Sequence, residues 1–186
     1  MSRASRRRKD VFPQILTVST NTPAGASDYA VQEFALPVSR IGGSVNKATV
    51  VELVWIHYYP AITDYADTSA QYAMYVSTGT LHQTSDAATA ITIAEDFASA
   101  RTIAPIFFSR VLTTSGNQEI KYPLKVDLTD DAGNGILVGV DTMALVYANV
   151  AGTTASYGTV KMAYRLVEVG LPEYVGMVQS QAQVVL

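Results

Sequence analysis

The sequence predicts an all-β fold, a sandwich or barrel of eight or nine antiparallel strands. Three observations carry this. Runs rich in Val, Ile, Thr, Tyr and Phe recur along the chain, each closed by Gly, Pro, Asn or Asp. Strands and helices do not alternate as they would in a parallel sheet, and no repeat of fixed period is visible. With 186 residues, 48% of them hydrophobic, the chain can bury a core without metals or disulfides, and it has no cysteine to form the latter.

Residues 1–10 form a basic arm, expected to be disordered when free because like charges crowd it and no apolar period runs through it. Residues 11–28 read as a linker, with Pro13, Pro23 and Gly25 set among Thr, Ser and Asn. The sandwich is expected over residues 29–169. Its first strand is 29–37. The strongest is 49–59, which is β-branched and aromatic and is stopped by Pro60. Strict alternation there would place Val51, Leu53, Trp55 and His57 on one face and Val50, Glu52, Val54, Ile56 and Tyr58 on the other. Both faces are largely apolar, so cover on both sides is expected.

Residues 70–77 follow as a strand. Residues 91–101 fit a short helix and a strand about equally well. Segments 105–113 and 119–128 are strands, the second carrying Pro123, which favours an edge or a bulge. A turn at 115–117 separates them, and residues 130–135 make a tight turn. Strands at 136–140, 142–150 and 159–169 complete the set. Residues 170–186 lack a strand pattern, are broken by Gly170, Pro172 and Gly176, and are expected to be a tail docking on a neighbouring subunit.

The net charge of −3 conceals a division. Arg3, Arg6, Arg7, Arg8 and Lys9 give residues 1–9 a charge of +5, and the remaining eight basic and sixteen acidic side chains leave the body at −8. A basic arm on an acidic domain points to nucleic acid, because guanidinium groups bind phosphates through two parallel hydrogen bonds. A solubilising tail, an import signal or a lipid-binding patch would show the same run. Only 16% of residues are charged, against about 25% in ordinary globular proteins. An apolar-rich surface of that kind favours self-association. No run of about twenty apolar residues is present, so no membrane-spanning helix is expected, and no apolar segment of a signal peptide follows the basic start.

Catalytic chemistry finds little support. His57 lies mid-strand among aromatics and reads as a packed core or interface histidine. His82 stands in a loop with no second histidine and no close carboxylate pair. No nucleophile elbow, phosphate loop or paired-histidine zinc motif occurs, so neither an enzyme nor a cofactor is expected. The one metal candidate, a weak one, is calcium at Asp127, Asp130 and Asp131. Asn134, Gly135 and Asp141 stand near calcium-loop positions, but Ala132 occupies a ligand position, and Asp-Ala-Gly-Asn-Gly is also ordinary turn chemistry. Tyr58, Tyr59, Tyr65, Tyr72 and Tyr75 fall within eighteen residues. Amphipathic rings in such a cluster suggest subunit contacts, although sheet packing accounts for part of it.

This layout resembles the single jelly-roll capsid (coat) proteins of viruses. The residues that carry the resemblance are the arm (Arg3, Arg6, Arg7, Arg8, Lys9) and the strand run from Tyr29 to Val169. The likeness is architectural and rests on no diagnostic motif. It implies a jelly-roll β-sandwich, many copies of the chain assembling into an icosahedral shell, and an arm that meets genomic DNA or RNA inside the virion, which is assembled in the host cell. The competing expectation is a viral spike or cell-surface adhesion sandwich that binds no nucleic acid.

Overall fold

The computed structural model describes residues 12–21, 28–37, 46–61, 71–83, 86–109, 124–150 and 157–181. Among them are nine strands and two helices. The strands are β1 (Gln14–Asn21), β2 (Tyr29–Ala35), β3 (Lys47–Ala61), β4 (Gln71–Ser77), β5 (Thr102–Ser109), β6 (Leu124–Asp127), β7 (Ile136–Val138), β8 (Thr142–Asn149) and β9 (Tyr157–Gly170). The helices are α1 (Ala90–Ala98) and α2 (Leu171–Gln181).

The strands form two sheets. The first runs β1-β9-β3-β6, with β7 also paired to β3, and the second runs β2-β8-β4-β5. Every pairing is antiparallel. The pairings nest: β1 with β9, β2 with β8, β3 with β6 and β7, β4 with β5. That is a long two-stranded ribbon rolled on itself, and the contacts of β9 with β3 and of β8 with β4 close the two sheets. This winding is a jelly roll.

The core fills the space between the sheets. Val18, Val51, Leu53, Ile56, Tyr58, Val160 and Met162 come from the first sheet, and Tyr72, Met74, Val76, Met143, Leu145 and Tyr147 from the second. Alternate residues of β4 and β8 point the other way. Ala73, Tyr75, Ala144, Val146 and Ala148 form a second apolar layer with Tyr29, covered by Ile93 and Phe97 of α1. These two strands are therefore buried on both faces, which explains their unbroken apolar sequences. The ambiguous segment 91–101 resolves as helix over Ala90–Ala98, started by a capping box in which Thr89 and Thr92 each accept the other's backbone N–H.

Four expectations are corrected. The segment 11–28 is not all linker, because it contains β1. Leu16 and Val18 point inward there while Ile15, Thr17 and Ser19 point out, and the flanking Pro13 and Pro23 bound the strand rather than dissolve it. The sandwich accordingly begins before residue 29. The segment 170–186 contains α2, which lies on its own chain: Tyr174 and Met177 cover Ala48, Val50, Val167, Val169 and Leu137 on the outer face of the first sheet. Pro172 stands in the first turn of this helix, where its missing N–H costs nothing. Pro60 does not stop β3 but pairs with Gly158 near the strand's end.

The fourth correction concerns β3 itself. Leu53 pairs with Tyr164 and Trp55 with Ala163, so Val54 is an extra residue in a β-bulge. Its carbonyl accepts from Leu128 N at 3.0 Å instead. The inward set therefore switches from Val51 and Leu53 to Ile56 and Tyr58, and Trp55 and His57 leave the core side that strict alternation assigned them. The turn at 130–135 abuts the bulge. A Cβ on Gly135 would lie 1.9 Å from the Leu53 carbonyl oxygen, so only glycine fits.

Candidate functional site

The bulge creates an open area on the outer face of the first sheet. Trp55, His57 and Tyr59 point outward, each half-buried, while Ile56 and Tyr58 between them are fully buried. The Trp55 and His57 rings stack with centroids 4.0 Å apart. Register places Lys161 of β9 and Lys125 of β6 opposite His57, one on each side. Lys161 Nζ lies 5.4 Å from the centre of the Tyr59 ring. Partial burial lowers the His57 pKa below its ordinary 6.5, and the Lys125 and Lys161 ammonium groups lower it further. His57 is thus not a core histidine. It sits in a row of basic side chains on the surface.

The arm residues Arg3, Arg6, Arg7, Arg8 and Lys9 lie outside the described residues, as do Tyr65, Pro123, the 115–117 turn and the stretch 182–186. The tyrosine cluster divides. Tyr58, Tyr72 and Tyr75 are fully buried within the single chain and so are not available for subunit contact, while Tyr59 stays at the surface. Tyr72 stacks on Tyr147 and Phe108 in the core, and Tyr58 donates to the Ala104 carbonyl at 2.8 Å. Alternating outward and inward positions on β3 and β4 separate residues that look clustered in sequence.

A second polar cluster lies under α1, and sequence reading missed it. Asp96 is buried, and its Oδ2 accepts from the hydroxyls of Tyr29 at 2.8 Å and Tyr75 at 2.7 Å. His82 Nε2 is 2.7 Å from Asp96 Oδ1, and His82 Nδ1 is 3.8 Å from Asp86 Oδ2. His82 therefore does have a carboxylate on each side; Asp96 is fourteen positions away, and only the fold brings it close. Its ring also stacks on Tyr29 at 3.9 Å. The buried Asp96 holds Nε2, while Nδ1 lies beyond hydrogen-bond distance of Asp86. The cluster is a structural clamp between β2, β4, the loop after β4 and α1.

The acidic loop behaves as a turn. Asp130 Oδ1 accepts from Ala132 N and Asn134 N, and Asp127 Oδ1 accepts from Thr129 N and Oγ1. The Thr129 bonds hold the Asp127 carboxyl below its ordinary pKa. Gly133 takes a φ of +76° in this turn. Among the described residues no group of three or more His, Asp or Glu side chains is placed to hold a metal. No helix of the described residues is long and apolar enough to cross a membrane.

Comparison with solved structures identifies the winding. Merkel cell polyomavirus VP1, solved with disialyllactose, superposes with a TM-score of 0.51 at 10% identity, covering 87% of this chain and 96% of that one. The chain has the fold of a viral capsid jelly roll. Apo New Jersey polyomavirus VP1 matches this jelly roll with a TM-score of 0.50 at 10% identity, over 85% of this chain and 99% of that one. A mutant of Washington University polyomavirus VP1, solved as an unassembled pentamer, gives 0.51 at 10% identity, over 86% and 95%. No family model and no curated protein sequence matches the chain. The likeness lies in the jelly roll, and the side chains on it are this protein's own.

Proposed function

We propose that this protein is a capsid subunit: many copies assemble into an icosahedral shell, and the arm at residues 1–10 contacts the packaged nucleic acid. The observation that carries this reading is the nested jelly-roll pairing, which matches viral capsid proteins over most of both chains. The arm supports it independently. Five basic side chains ahead of β1 stand against a body of charge −8. One arm alone binds weakly, but many arms in one shell act together through multivalency. The role is structural rather than catalytic, in keeping with the capsid-type jelly roll.

The test is to express the full chain and combine mass photometry with negative-stain microscopy, reading the 260/280 nm absorbance ratio on the same peak. Closed particles of uniform diameter carrying nucleic acid are expected. Small oligomers free of nucleic acid, under conditions that assemble other capsid proteins, would overturn the assignment in favour of a spike or adhesion module.

A further inference from the structure

We propose that the open area of the first sheet, formed by Trp55, His57 and Tyr59 between Lys125 and Lys161, binds single-stranded nucleic acid, with bases on the rings and phosphates on the ammonium groups. The arm is a separate element, and this surface is built into the folded domain. The inference takes only its biological setting from the capsid reading.

Four observations converge on the site. The Val54 bulge turns three consecutive outward positions of β3 into an aromatic row, where unbroken alternation would have hidden Trp55 and His57 in the core. The register then sets a lysine on each side of that row, the two separated by two interstrand spacings, about 10 Å. Among the described residues, neither lysine is paired with a carboxylate. Among the described residues the acid on this face, Asp127, is bonded by Thr129 in its own loop. Finally, α2 covers the other half of the same sheet face and α1 covers the second sheet, so the aromatic row lies where neither helix reaches.

Charge complementarity selects the ligand. A local group of cations on a domain whose sum is −8 suits an anionic partner rather than a basic or neutral one. The aromatic rings add a preference for flat π-systems, and nucleic acid combines both features. A single strand offers its base faces to the rings, whereas a duplex keeps them stacked. Binding of this kind tolerates any base sequence.

Trp55 is the chain's only tryptophan, so its fluorescence reports on this site alone. The full chain would be titrated with a fluorescently labelled oligothymidylate of roughly sixteen nucleotides, enough for one site. Trp55 emission and oligonucleotide anisotropy would be read together. We expect emission to be quenched in step with binding, and a duplex of equal length to quench it far less. Changing Lys125→Ala and Lys161→Ala together should weaken the quenching interaction and lower the slope of log K against log salt by about 1.4, at about 0.7 for each phosphate lost. Arg6→Glu, Arg7→Glu and Arg8→Glu together should leave the Trp55 quenching in place.

Anisotropy that rises while Trp55 emission stays constant would overturn the inference and leave the arm as the binding element. So would quenching that survives the double lysine change with its salt slope intact, or that disappears with the arm charges alone. A chain that binds no oligonucleotide at all would also overturn it, while the particle measurement would still decide the capsid reading separately. His57→Ala with Tyr59→Ala provides a second variant, since both side chains are surface-facing and the core beneath them is unchanged.

Discussion

The Asp96 carboxylate accepts from two tyrosine hydroxyls and faces the His82 ring, so one side chain of α1 ties together β2, β4 and the loop that follows β4. Hydrogen bonds to a charged group contribute about 1.5–3 kcal/mol each and are not additive. Asp96→Ala, which also strands the buried Tyr75 hydroxyl while Tyr29 keeps Thr92 Oγ1 at 3.0 Å, should therefore cost about 3 kcal/mol in urea unfolding, with Asp96→Asn costing less. Unchanged stability of the alanine variant would mean that the clamp contributes nothing. The tyrosines add a pH dependence. Burial raises the pKa of Tyr29, Tyr58 and Tyr75 above the ordinary 10.0, and the Asp96 charge raises Tyr29 and Tyr75 further. A raised folded-state pKa means that above pH 10 the unfolded chain releases these protons before the folded one does. Their contribution to stability is complete below pH 10 and falls as the pH rises beyond it. Thermal melts should show Tm dropping above pH 10, while absorbance at 295 nm shows some of the eleven tyrosines ionising only on unfolding. All eleven titrating near pH 10 in a folded protein would contradict this.

At the scale of elements, α2 finishes the first sheet. Gln181 accepts from Gly139 N at 2.8 Å and donates to the Leu137 carbonyl at 2.8 Å, so its side-chain amide acts as a short partner strand beside β7. A Cβ on Gly139 would lie 3.0 Å from Met177 Sδ, which shows how closely the helix sits. Gln181→Ala should destabilise the fold by about 1–2 kcal/mol, the cost of leaving two backbone groups short of partners. Gln181→Glu keeps the acceptor and loses the donor, and should fall between wild type and alanine. A denaturant midpoint equal to wild type in both variants would mean that water replaces the amide without loss. The sequence showed β3, β4, β8 and β9 clearly, because buried strands carry long β-branched and aromatic runs. It hid β1 and α2. The period of two in Leu16 and Val18 was short and set among Ser, Thr and Pro, and Pro172 and Gly176 looked like breaks although a proline in a first helical turn is a start signal. The Val54 bulge was invisible for a different reason. It depends on Gly135 and Leu128, which approach β3 only in the folded chain.

At the scale of the whole molecule, the jelly-roll winding was reachable only through resemblance, since local patterns do not encode that β1 pairs with β9 or β2 with β8. The same limit applies to the surface row. Lys125 and Lys161 lie far from His57 in sequence and meet it only through register. What the sequence did show directly is the charge division, and it leads to the strongest whole-particle prediction. A body of −8 repels polyphosphate, so attraction must come from the +5 arm and from local clusters of cations on the body. Sixty arms would supply about three hundred positive charges, against one negative charge per nucleotide. Changing Arg6, Arg7 and Arg8 together to Glu takes residues 1–9 from +5 to −1. Particles of that variant should keep the wild-type circular dichroism spectrum and diameter, because the arm precedes β1 and the jelly roll retains its core. Their 260/280 nm ratio should fall to that of protein alone, or to the small remainder held by the Trp55 surface. Wild-type nucleic-acid content in these particles would mean that the folded domain, not the arm, packages the genome, and the lysine row would then be the place to reverse charge next.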